Sequence, residues 1–467
     1  MESSLTSALE YLRLGNECYK KGSYIEAQQN FLKSVTIYEN LPKQDTSQIA
    51  DLHTKIGLTS FRIGKRDEAL KHYQKACSIY LSQGIDSRAN LAGVYNHIGC
   101  IYYEQQLYLE ALDYYNKSLE LSLQVYEEHH PKLAVVYTNL GNAYDGQGKE
   151  QESLKAYEKA LAINLKHYGE THPETADIYN NIGLLYEKKY KYDEAFKYYS
   201  KSLEIYKIHY GEEHPETADI YHNLGLLFEN QDYFPKALEY YKKAVEIYIK
   251  TLGKHDPKVA YSYNNIGTLH SKQKRYDEAL KYLKKSLEIK IINYGDMNPQ
   301  VAGNYNNLGS IYQNQKNYTE ALVNYNKSLE IIMKFYGEDH PKAASIYYNI
   351  GSCYNKQDKF KEAIKYYLKS LKIRESFHEM NHHKIADTLH NIGVIFDRLE
   401  KYDEAKKFYM KSFAITRVIF GPNHPDFTSS YEAASEIESE KSENDYQCDY
   451  IPIFSFFSGS EAKDFFE

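Results

Sequence analysis

Ten glycines stand at a fixed interval of 42 residues: Gly15, Gly57, Gly99, Gly141, Gly183, Gly225, Gly267, Gly309, Gly351 and Gly393. Nothing is inserted or deleted between the first and the last. Such a chain cannot be organised around one central core, because each period has to bury its apolar face on its neighbours. It must build a stack of like units. The length of 467 residues therefore says little about domain number, since a stack escapes the core-size limit that divides ordinary chains.

Other positions ride on the same period. Twelve residues after each glycine lies an alanine, from Ala27 to Ala405, with Ser153 the one exception. Nineteen after it the residue is always Ala or Ser, and most copies carry an aromatic four before it (Tyr179, Tyr221, Tyr305) and another sixteen after it (Tyr199, Tyr325, Tyr367). Within one period, Tyr179, Ile182, Leu185 and Tyr186 follow helical spacing, and Ala195, Tyr198, Tyr199, Ser202, Leu203 and Tyr206 outline a second amphipathic helix. Small residues belong where two helix axes approach, and large aromatics fill the space beside them. The 50 tyrosines, against no tryptophan, are thus a few core slots multiplied by ten.

The joints repeat too. Tyr168-Gly169-Glu170-Thr171-His172-Pro173 recurs as Tyr210-Gly211-Glu212-Glu213-His214-Pro215 and as Tyr336-Gly337-Glu338-Asp339-His340-Pro341. The glycine is expected to end a helix in the left-handed conformation, and the proline to open the next at its first position. The residue before proline (His, Asp256 or Asn298) is suited to cap that helix. Lys189-Tyr190-Lys191-Tyr192-Asp193 makes the short turn inside a period.

These slots resemble the tetratricopeptide repeat (TPR) over about residues 5–420. The usual repeat has 34 residues; eight more lengthen the second helix by about two turns, roughly 12 Å. The long form, with its Gly-x-x-His-Pro loop and Asn-Asn-Ile-Gly helix, is similar to the repeats of kinesin light chain and nephrocystin-3. The fold implied is an all-α, right-handed superhelical solenoid of ten antiparallel helix-turn-helix hairpins. Residues 5–127 form three divergent repeats and 131–420 seven regular ones. A polar capping helix is expected over 425–441, and an aromatic, acidic, disordered tail over 442–467.

In such arrays the first helix of each hairpin lines the concave groove. The positions two and three before the glycine, and one, four and five after it, face that groove. Two before the glycine stand Asn139, Asn181, Asn223, Asn265, Asn307, Asn349 and Asn391, in seven consecutive repeats. Asparagine is a poor helix former, so its recurrence needs another reason. One is an amide ladder for the backbone of a bound peptide, a role the likeness to kinesin light chain also implies. The other is bonding between neighbouring repeats, and the two are compatible. Lys188, Lys272 and Lys356, five after the glycine, add basic groups, with acids at Asp145, Glu187 and Glu229 one slot earlier. The slot three before the glycine carries Asn180, His222, Asn264 and Asn306, which departs from the basic clamp of chaperone-binding repeats.

The sequence points to a protein–protein interaction scaffold that takes an extended or helical peptide segment of a partner. A kinesin-light-chain-like cargo adaptor or a ciliary component is the alternative, although no heptad run precedes the repeats. A net charge of −7 offers no basic footprint for nucleic acid or a membrane surface, and no apolar run is long enough to span a bilayer. Five scattered cysteines without a Cys-x-x-Cys pair suggest reduced thiols and a cytoplasmic setting, with a cytoskeletal or ciliary association under the alternative. No phosphate loop, nucleophile motif or carboxylate pair occurs, so neither an enzyme nor a cofactor is expected. Histidines lie mostly one repeat apart, and the adjacent His382 and His383 lack a further ligand, so no metal site is expected. The tail, with Tyr446, Tyr450, Phe454, Phe456 and Phe457 among acids, is a candidate ligand for the chain's own groove.

Overall fold

The computed structural model describes residues 2–42, 45–376 and 382–420. Among these it has twenty α-helices and no strand. In chain order they are α1 (Glu2–Lys20), α2 (Tyr24–Glu39), α3 (Thr46–Arg62), α4 (Arg66–Gln83), α5 (Arg88–Glu104), α6 (Tyr108–Val125), α7 (Pro131–Gly146), α8 (Glu150–Tyr168), α9 (Pro173–Lys188), α10 (Tyr192–Tyr210) and α11 (Pro215–Asn230). There follow α12 (Phe234–Leu252), α13 (Pro257–Lys272), α14 (Tyr276–Tyr294), α15 (Pro299–Asn314), α16 (Tyr318–Tyr336), α17 (Pro341–Asn355), α18 (Phe360–Ser376), α19 (His382–Arg398) and α20 (Tyr402–Phe420). The expected capping helix and aromatic tail lie outside the described residues.

The chain divides into two compact units, Met1–Tyr240 and Tyr241–Glu467. In the first, α1 to α10 pair as consecutive hairpins, each second helix packs on the first helix of the next hairpin, and α7 and α9 also touch. In the second, α13 to α20 repeat that pattern. Regular hairpins join a first helix of 16 residues to a second of 19, as in α9 and α10.

The glycine-centred packing follows the sequence logic closely. A Cβ on Gly183 would sit 2.8 Å from Cδ1 and Cε1 of the Tyr199 ring. Glycine is therefore required for the ring to lie flat on the first helix, and Tyr199 is fully buried as a result. Some of the serines nineteen after the glycine add a polar tie, although Ser118 and Ser202 in the same slot have no partner for the hydroxyl among the described residues. Ser286, Ser328 and Ser370 donate to the carbonyl oxygens of Ala260, Ala302 and Ala344 at 2.7–2.8 Å, so these three buried hydroxyls are satisfied.

At the joints, the expected caps form. His130, His172, His214 and His340 each accept from a backbone N–H two residues on, at 3.2 Å, and Asp256 and Asn298 do the same at 2.8 and 2.9 Å. The capping histidine also stacks on the preceding tyrosine, with 4.1 Å between the Tyr168 and His172 ring centroids.

The glycine of this loop differs from expectation: Gly169 has φ 86° and ψ −178°, and Gly211 φ 90° and ψ 170°. This is the extended positive-φ region that essentially only glycine reaches, because the chain must leave the helix straight rather than curl back over it. Positive φ without glycine occurs instead at the turn inside the hairpin, where Tyr190 and Lys274 sit at φ 58° and 59°.

Candidate functional site

The asparagines two before the glycine are all half-buried along the first helices. Most of their Nδ2 donors are spent on the preceding first helix. Asn139 donates to Asn96 Oδ1 at 2.9 Å and Asn223 to Asn180 Oδ1 at 2.8 Å. In the second unit Asn307 donates to Asn264 at 3.1 Å, Asn349 to Asn306 at 2.9 Å and Asn391 to the Tyr348 hydroxyl at 3.0 Å. Each rung thus joins slot minus two of one repeat to slot minus three of the repeat before. The row fixes the spacing of neighbouring first helices, and its carbonyl oxygens carry whatever capacity remains for a ligand. Asn265 is half-buried on α13, in the same slot.

Asn181 breaks the pattern. Its opposite number is Thr138, whose hydroxyl turns back to the Ala134 carbonyl at 2.9 Å. That leaves the Asn181 amide without a side-chain partner among the described residues. The sequence signal for the rungs was present as doublets, Asn180-Asn181, Asn264-Asn265 and Asn306-Asn307, and the missing rung coincides with the threonine that interrupts the slot.

The charged positions divide. Lys188, Lys272 and Lys356 are exposed. Lys188 reaches across to the Asp145 carboxylate, one repeat back, a solvent-facing pair of small energetic value. Glu187 is bound from two sides, by the Tyr199 hydroxyl at 2.7 Å and Asn230 Nδ2 at 2.8 Å. Loss of hydration raises its carboxyl above the ordinary range, and those two donors oppose the rise. The same device recurs where the Tyr325 hydroxyl donates to Gln313 at 2.9 Å. Tyr199 and Tyr325 therefore cross the hairpin and place their hydroxyls on polar groups of the first-helix face, whereas the buried Tyr73 hydroxyl in the same slot has no partner among the described residues. Sequence reasoning assigned those tyrosines to packing alone; the preference for Tyr over Phe beside a polar slot is the signal that marks the second role.

Among the described residues no helix is long and apolar enough to cross a membrane, and no group of three His, Cys, Asp or Glu residues is placed to hold a metal ion. Cys18, Cys77, Cys100 and Cys353 are free thiols.

No curated protein matches the sequence significantly. Among solved structures, an IFIT1 monomeric mutant with Gppp-AAAA aligns at a TM-score of 0.52 and 15% identity, covering 92% of this chain and 90% of that one. BtubC (BKLC) from P. vanneervenii aligns at 0.41 and 19%, over 54% and 94% of the two chains. A putative kinesin light chain of Podosopora anserina with TPR-like repeats aligns at 0.38 and 19%, over 44% and 98%. At such identities the likeness concerns the fold alone. The tetratricopeptide repeat model matches residues 90–166, 148–208, 174–250, 216–291 and 300–376, and related repeat models match 385–426 and 50–82. These spans take in more than half of the chain, and with the paired helices and glycine-centred packing above they establish that it belongs to the tetratricopeptide repeat family.

Proposed function

We propose that the protein is a peptide-binding scaffold whose first-helix face receives a segment of a partner polypeptide. The observation that carries this is the asparagine row. It offers amide oxygens at a fixed 42-residue spacing, and at Asn139, Asn223, Asn307, Asn349 and Asn391 the donors are held by neighbouring rungs, so those oxygens are preorganised rather than free to rotate. Preorganised acceptors bind with less loss of side-chain entropy than mobile ones. The exposed Lys188, Lys272 and Lys356 border this face and would set charge preference rather than affinity. The free thiols and the lack of a basic footprint fit a cytoplasmic setting.

The test is a pull-down from native cytosol with wild-type protein and with Asn223, Asn265 and Asn307 all changed to Ala. A partner held by the wild type should be lost with the triple variant. Its helical circular dichroism should persist, with melting lowered modestly because rungs at Asn223 and Asn307 are removed. Undiminished capture would sink the ladder. The cargo-adaptor and ciliary readings rest on the loop and helix motifs alone, and recovery of a motor heavy chain or of ciliary proteins in the same experiment would select between them.

A further inference from the structure

The wedge between α7 and α9 is open where its neighbour is filled. A cleft of about 370 Å³ lies there, at the small end of ligand-sized sites. Two substitutions within the repeat pattern create it. Thr138 replaces the asparagine that would bridge to Asn181. Asn164 stands twenty-three after its glycine, where Tyr80 and Tyr206 stand in other repeats of the same unit.

The polar atoms around this cleft are mostly acceptors, with the Asn181 amide N–H the main donor left among them. Asp177 and Glu174 line it with no cation paired to either among the described residues. Asn164, only 4% exposed, spends its Nδ2 on the Glu174 carbonyl at 2.9 Å, and no donor of the described residues meets its Oδ1. Asn139 has spent its Nδ2 on Asn96, and Asn181 is unbonded. Asp177 accepts from the Tyr206 hydroxyl on one oxygen, which positions the carboxylate and leaves the other. Val135, Ile178 and Tyr168 give the cleft an apolar wall.

A ligand for this site must therefore bring donors, positive charge and an aliphatic stem. Lysine and arginine side chains have three and five N–H donors and no acceptor. From this we infer that the α7–α9 cleft is a specificity pocket for a lysine or arginine side chain of the bound peptide, its head on Asp177 and Glu174. The inference rests on the groove reading above and adds a site at which one ligand residue is chosen by charge.

The test uses full-length protein labelled at isoleucine and valine methyls, observed by NMR. Two capped pentapeptides are titrated, identical except for a central arginine or norleucine, alongside n-butylguanidinium. The arginine peptide should shift the Ile178 and Val135 methyls saturably and bind at least about tenfold more tightly than the norleucine peptide. Asp177→Asn should remove that preference. Thr138→Asn, which supplies the missing acceptor for Asn181 and narrows the cleft, should block binding while preserving the melting temperature. Equal binding of both peptides, no saturable shift, or an unaltered preference in Asp177→Asn would each overturn the pocket. Binding of n-butylguanidinium without the arginine peptide would also overturn it, since the site would then serve a free guanidinium rather than a peptide side chain. The readout lies wholly within α7–α9 and needs no natural partner, so a failure here is distinguishable from a failure of the asparagine ladder.

Discussion

The wedge between α7 and α9 and the wedge between α9 and α11 are built from the same slots and differ in outcome. In the second, Tyr206 is 3% exposed and donates to Asp177, and Asn223 closes a rung on Asn180. In the first, Asn164 and Thr138 occupy the corresponding positions, and a cleft remains. A strict period thus fixes the backbone so firmly that two side-chain changes alter the surface without disturbing the stack. In a repeat protein, individuality resides in the exceptions to the pattern, because the pattern itself is committed to packing.

The largest effect that would break the comparison is Tyr206→Ala. It removes a buried aromatic and a hydroxyl, and should cost about 3–5 kcal/mol in urea denaturation. Asn164→Ala, at the matching slot of the open wedge, should cost only about 1 kcal/mol, the worth of its hydrogen bond to the Glu174 carbonyl. Equal costs would mean that the open wedge is packed as firmly as the closed one.

Acid sharpens the comparison next. The slot three before the glycine carries Thr138 on α7, Asn180 on α9 and His222 on α11, and only the last is ionisable. Burial pushes His222 from 6.5 down to about 4, with Asp219 and Glu229 opposing the fall. Folding therefore favours the neutral ring. Its contribution is complete above pH 6.5 and is lost as pH falls through 6.5 toward 4. Hydrogen exchange corrected for intrinsic rates should show α11 opening more readily at pH 5 than at pH 7, with α7 changing less. A uniform change along the unit would refute this.

The smallest effect is Asn180→Thr, which imports the broken rung into the closed wedge. It strips the acceptor from Asn223 and should lower stability by about 1 kcal/mol. The side-chain amide resonances of Asn223 should then shift toward those of Asn181; resonances that stay put would show that the rung is not the governing contact.

Much of this molecule was legible in advance. The glycine period, the alternation of small and aromatic slots, and the His-Pro loops yield helices, hairpins and caps, because each depends on residues close in sequence or one repeat apart. The loop glycine was misjudged: Gly169 and a left-handed cap share the sign of φ and differ in ψ, which is set by the direction in which the chain must leave the helix. The asparagine row was located, but its rungs were not assigned. Its partners are 43 residues away, as from Asn223 to Asn180, and only the stacking of first helices brings them together.

The chain alone therefore specifies the repeat, its two helices, its joints and the slots that pack them, since a helical period and a 42-residue period are both one-dimensional patterns. The packed structure was needed to settle which amides are spent and which remain, why the core aromatic is tyrosine, and where the stack leaves room for a ligand. Those depend on the distances between side chains of successive first helices, a property that arises only once the hairpins are stacked.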